Sequence, residues 1–145
     1  MLSLPSGDIT HVIQLAVAPV FLLTAVATMI NAMNVRLGRI VDRRRVVLDR
    51  QAAGTTMPAD DIHWELESLA RRSRLVYLAI FCAVLSALLV CLVVAGAFIA
   101  EMLTVNLAYM VAILFVLAMF AMIASLSLFL REVFLAVSGG THYRA

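Results

Sequence analysis

The chain has 145 residues, of which 64% are hydrophobic and 14% charged, and its mean hydropathy is +1.04. So little polar surface cannot cover a water-soluble core of this size, which excludes an ordinary soluble domain and places the chain in lipid. The net charge of +2 arises from eleven basic residues, all arginine, and nine of them fall between Arg36 and Arg74, so the basic character belongs to one segment.

Residues 1–8 carry no positive charge ahead of the first apolar run and are expected to form a short periplasmic N-terminus. Residues 9–35 are uncharged and too long for a cleaved signal sequence, so they read as transmembrane helix 1. About 20 apolar residues cross a bilayer core of about 30 Å, which leaves this segment length to tilt or protrude. Pro19 frees the carbonyl of Leu15 and is expected to kink the helix.

Residues 36–74 hold the arginines and are expected to form a cytoplasmic antiparallel helical hairpin that extends spans one and two. The helical pattern continues from Arg36 to Gln51, and Ala52 to Ala59 reads as a turn on Gly54 and Pro58. Asp60 and Asp61 look like the cap of a second amphipathic helix carrying Ile62, Leu66 and Leu69. The first arm offers Leu37, Ile40, Val41, Val47 and Leu48 to pack against them.

Residues 75–100 and 106–130 read as transmembrane helices 2 and 3, joined by a periplasmic turn over 101–105 beside Glu101. Ala79, Ala83 and Ala87 make a small-residue stripe on helix 2. Ala108 with Ala112, and Ala121 with Ser125, repeat that spacing on helix 3. Small residues let two backbones approach where lipid supplies no hydrophobic drive, so a tight pair is expected. Residues 131–145 read as a cytoplasmic tail, with the helix ending at Ser138-Gly139-Gly140. The expected fold class is therefore an all-α membrane protein with three transmembrane helices. Because the arginines lie between spans one and two and after span three, the N-terminus is expected outside and the C-terminus inside.

No span carries an internal Asp, Glu, Lys or Arg, which removes the usual mark of a proton relay or ion-coupled carrier. His11, His63 and His142 are scattered without metal-ligand spacing. Cys82 and Cys91 lie about half a turn apart on a helix and cannot pair with each other. Neither a Gly-rich phosphate loop nor a nucleophile with its base is visible, so no catalytic residue, metal or cofactor is expected. Ser86, Ser125 and Ser127 are expected to bond back to their own helices. The topology already accounts for the arginines, so nucleic acid is not an expected partner, whereas anionic lipid headgroups are.

One pattern carries function. With Gln14 set at 0° and steps of about 100° per residue, Thr24, Thr28 and Asn31 fall near 280°, 320° and 260°, and Arg39, Arg50, Arg43 and Arg36 near 340°, 0°, 20° and 40°. In one reading, copies of the chain form a homo-oligomer whose first helices line a passive ion path. Gln14, Thr24, Thr28 and Asn31 are then its lining, and Arg36, Arg39, Arg43 and Arg50 an inner vestibule favouring anions. In the other, the same polar residues bond to neighbouring helices. The chain is then a non-conducting anchor or scaffold whose arginine hairpin binds a cytoplasmic protein partner or anionic lipid.

The segments HVIQLAVAPVFLLTAVATMINAMNVRLGRIVDRRR, LARRSRLVYLAI and SLSLFLREVFLAV resemble the small bacterial membrane proteins catalogued as domain of unknown function 2721. The most specific parts are Pro19-Val-Phe-Leu-Leu, Asn34-x-Arg36-x-x-Arg39-Ile-Val-Asp42-Arg43 and Phe129-Leu-Arg131-Glu132. The resemblance implies three spans and a bacterial inner membrane, and it brings no activity. Arg131 and Glu132, at the end of span three, are expected to pair with the Asn34 to Arg43 region, which includes Asp42.

Overall fold

The computed structural model describes residues 6–54, 59–103 and 106–141, and they form three helices. These are α1 (Ser6–Ala52), α2 (Ala59–Leu103) and α3 (Ala108–Thr141). Each is long and apolar enough to cross a membrane. With 47, 45 and 34 residues they run to about 70, 67 and 51 Å at about 1.5 Å per residue, so all three exceed a bilayer core of about 30 Å.

The ends of the helices follow local chemistry. Pro19 lies inside α1 and does not end it. α1 stops where Gly54 takes a positive φ of 68°, a conformation that costs glycine nothing. There the Gly54 N–H donates to the Gln51 carbonyl at 3.3 Å, and the Ala53 N–H to the Asp49 carbonyl at 3.0 Å. Pro58, the other expected turn residue, lies outside the described residues. Asp60 and Asp61 sit inside the first turn of α2 and not ahead of it, where their charge still meets the positive end of the helix dipole. α2 continues through Glu101 to Leu103, further than a turn at 101–105 allows. α3 is capped by Asn106, whose Oδ1 accepts the Ala108 N–H at 3.3 Å. At its other end α3 runs through Ser138-Gly139-Gly140 and ends at Thr141, one residue past Gly140, so residues 131–141 are helical. Leu135 and Ser138 line a shared hollow with Trp64 and Ser68 of α2.

Packing follows a seven-residue repeat on every helix. The buried residues of α1 include Val26, Met33, Ile40 and Val47; those of α2 include Ile62, Leu69, Val76, Ala83 and Val90; those of α3 include Ala118, Ser125 and Glu132. A strict heptad underwinds each helix to about 3.5 residues per turn and implies left-handed supercoiling, so that one seam stays buried along the whole length. α2 and α3 are antiparallel and closely matched. The Ser86 hydroxyl donates to the Ala118 carbonyl at 2.8 Å, and the Ser125 hydroxyl to the Ala79 carbonyl at 2.7 Å. These two serines therefore bond across the pair and not back to their own helices as expected; Ser127 does bond back, to the Ile123 carbonyl at 2.8 Å. The cause is the fully buried Ala79, Ala83 and Ala118, whose small side chains bring the opposite carbonyl within reach of a short hydroxyl. Of the stripe expected to seal this pair, Ala79 and Ala83 are buried, whereas Ala108 and Ala112 are exposed.

α1 packs mainly on α2 and meets α3 through side chains around Arg36. Met33, Ile40 and Val47 form one core with Ile62, Leu69, Val76 and Ala79, with Leu37 and Leu66 at its edge, whereas Leu48 is exposed. Outside this core the surface is strongly apolar, with Phe21, Phe81, Tyr109, Phe115 and Phe120 all exposed. Contiguous apolar surface of that kind suits lipid and not water.

Candidate functional site

The heptad that buries Ala118 and Ser125 carries a carboxylate to the next position. Glu132 is only 1% exposed, a placement tolerated only with charged partners. It has two. Arg36 of α1 stands with Nη1 3.3 Å from Glu132 Oε2, and Arg72 of α2 places Nη2 3.0 Å from Oε1. The Arg36 guanidinium also lies over the Phe129 ring, 5.3 Å from its centroid and about one turn back along α3 from Glu132. One buried residue thus ties all three helices at a single level. The Ser125–Ala79 and Ser86–Ala118 bonds continue the Arg72–Glu132 pairing in steps of seven residues along both α2 and α3.

This knot is short of acceptors. Each oxygen of Glu132 takes one guanidinium, and the Nε of Arg72 is buried without a hydrogen-bond partner. Beside it lies an open groove of about 300 Å³, lined by Arg36, Arg39, Arg43 and Arg72, by Glu132, and by Ile40 and Leu69. Arg43 is engaged at the rim, with Nε and Nη2 donating to Glu65 Oε1 at 3.0 and 2.9 Å. That pair is solvent-exposed and contributes at most about 1 kcal/mol.

The remaining sequence-derived residues separate into two groups. Of the expected interfacial partners, Glu132 meets Arg36, while Asn34, Asp42 and Arg131 lie exposed on the surface. Gln14, Thr24, Thr28 and Asn31 are exposed as well, and so are Arg39 and Arg50. The hydroxyl of Thr24 donates to the Val20 carbonyl at 3.0 Å, and that of Thr28 to the Thr24 carbonyl at 2.9 Å. On the same angular scale, Val26 and Met33 of the buried seam fall near 120° and 100°, at least roughly 140° from each of Thr24, Thr28 and Asn31. The Thr24, Thr28 and Asn31 part of the polar face therefore points away from the seam with α2, whereas Arg36 and Arg43 of the same face reach Glu132 of α3 and Glu65 of α2.

Arg72, the second partner of the buried carboxylate, is not among the residues expected at this site. The signal for it is present in the spacing: Ala118, Ser125 and Glu132 share one heptad position on α3, and Arg72, Ala79 and Ser86 share one on α2. What spacing leaves out is the register that sets one row against the other.

A family model described as a protein of unknown function (DUF2721) matches residues 16–140, and the chain belongs to that family. A search of curated proteins finds no match. Nor does a search of solved structures.

Proposed function

We propose that the chain is a non-enzymatic inner-membrane protein with its N-terminus outside and its arginine-rich end in the cytoplasm, assembling through α1 into a homo-oligomer with a passive ion path. The observation that carries this reading is the exposed row of Thr24, Thr28 and Asn31, set opposite the intrachain seam of α1. Asn31 and Gln14 on a lipid-facing surface would be costly, and a second copy of α1 gives them a polar neighbour. The threonine hydroxyls, already bonded within the helix, leave their methyl groups and oxygens to line a path without an unmet donor. At the inner mouth, Arg36 and Arg43 are held by Glu132 and Glu65, so Arg39 is the vestibule residue best placed to meet an anion.

Planar-bilayer recording tests the conducting reading. The expected result is an anion-favouring conductance that falls in Thr28→Leu and Asn31→Leu. Absence of conductance, or conductance indifferent to both, contradicts it. A second reading is supported by the same salt bridges: they stiffen the cytoplasmic end into a hairpin of α1 and α2, flanked by the end of α3, and so into a platform. In that case the chain is a non-conducting scaffold for a cytoplasmic protein, and a stoichiometric soluble partner lost on Arg43→Glu is the expected result.

A further inference from the structure

The groove beside Glu132 has more positive charge than the chain neutralises. Four guanidiniums, from Arg36, Arg39, Arg43 and Arg72, line it, against Glu132 within and Glu65 at the rim, which leaves two cations over. Arg39 forms no ion pair among the described residues, and the buried Nε–H of Arg72 has no acceptor. Like charges gathered in one groove repel, and the surplus calls for an oxyanion with several acceptor oxygens, which planar guanidiniums fit well.

The groove's position narrows the ligand. Its lining comes mainly from α1 and α2, with Glu132 contributed by α3, and it is open to the surface. It also lies where α1 and α2 leave their uncharged segments, Arg36 and Arg74 being the first charges met, which is headgroup level for a chain that spans the bilayer. Ile40 and Leu69 add apolar surface beside the arginines.

We propose that this groove binds a phosphate group, with Arg39 as its principal free ligand and Arg43 and Arg72 beside it. The phosphate of an anionic lipid headgroup and free phosphate share this chemistry, and the test separates them. The proposal rests on the membrane-spanning reading above and not on assembly or conduction.

The experiment is native mass spectrometry of the purified full-length chain with phosphatidylglycerol, with phosphatidylcholine, and with phosphatidylglycerol in competition with inorganic phosphate. Arg39→Gln is expected to weaken phosphatidylglycerol retention by about tenfold, the loss of one charge-assisted contact. Arg45→Gln, which removes the same charge outside the groove, is expected to leave it within about twofold. Arg39→Lys, which keeps a point charge without the fork, falls between them. Displacement by inorganic phosphate assigns the site to free phosphate; persistence of bound lipid assigns it to a headgroup. Equal losses in Arg39→Gln and Arg45→Gln, or retention that neither changes, would overturn the proposal in favour of a diffuse basic surface. The same spectra count subunits, so an intact oligomer without Arg39 dependence sinks the phosphate site alone, and a monomer that retains the dependence sinks only the assembly.

Discussion

The α2–α3 pair and the N-terminal half of α1 are built from similar apolar residues and end in opposite situations. Along α2–α3, alanines at Ala79, Ala83 and Ala118 draw the helices together, and Ser86 and Ser125 bond each helix to the other's backbone. On α1, burial among the described residues is confined to the part from Val26 onward, while Ile13, Val17, Val20 and Phe21 stay exposed. Lipid is as apolar as leucine, so hydrophobicity alone does not join helices in a membrane. Small residues, hydroxyls and a buried charge do, and the described residues of the N-terminal half of α1 bury none of these against α2. This half of the helix presents a polar face in the other direction.

That contrast is broken most severely at Glu132. Glu132→Ala strands Arg36 and Arg72 without their shared carboxylate and frees α1 from α3, and the expected cost is about 3–5 kcal/mol, read as loss of the folded fraction in detergent unfolding. Ala79→Leu should come next. It forces the closely packed pair apart at a cost of about 1–3 kcal/mol and should abolish any further loss from Ser125→Ala, because that hydroxyl bonds to Ala79 itself. Ser86→Ala alone is a smaller change of about 0.6 kcal/mol, near the average for a hydrogen bond between helices in lipid. Smallest of all is Thr28→Leu, which should leave unfolding of the single chain unchanged while weakening assembly, since the Thr28 hydroxyl bonds within its own helix. A large loss of chain stability there would erase the contrast between the two regions.

Much of this architecture is legible in the residues. The uncharged runs mark the spans, and Ile40, Val47, Ile62 and Leu69 mark the seam of α1 and α2, because apolar periodicity is a property of one helix at a time. What depends on two helices at once is harder to read. Whether Ser86 bonds to its own turn or to Ala118 depends on backbone separation, which is set by the residue opposite. The end of α3, by contrast, is local: Gly139 and Gly140 favour a stop, and the helix ends at Thr141 just beyond them. Glu132 lies between these cases. Its seven-residue spacing from Ser125 indicates burial, but its pairing with Arg72 requires the antiparallel register of α2 and α3. The polar face of α1 is plain in the sequence, and its direction relative to the chain's own helices is not.

The central claim is that copies of the chain meet along that face. Oxidative crosslinking in membranes tests it most directly, with single cysteines introduced one at a time in a background lacking Cys82 and Cys91. Thr28→Cys and Asn31→Cys are predicted to give disulfide-linked dimers, and Phe120→Cys, on the exposed surface of α3, is predicted to remain monomeric. Dimers formed through Phe120→Cys and absent from Thr28→Cys and Asn31→Cys would contradict the account.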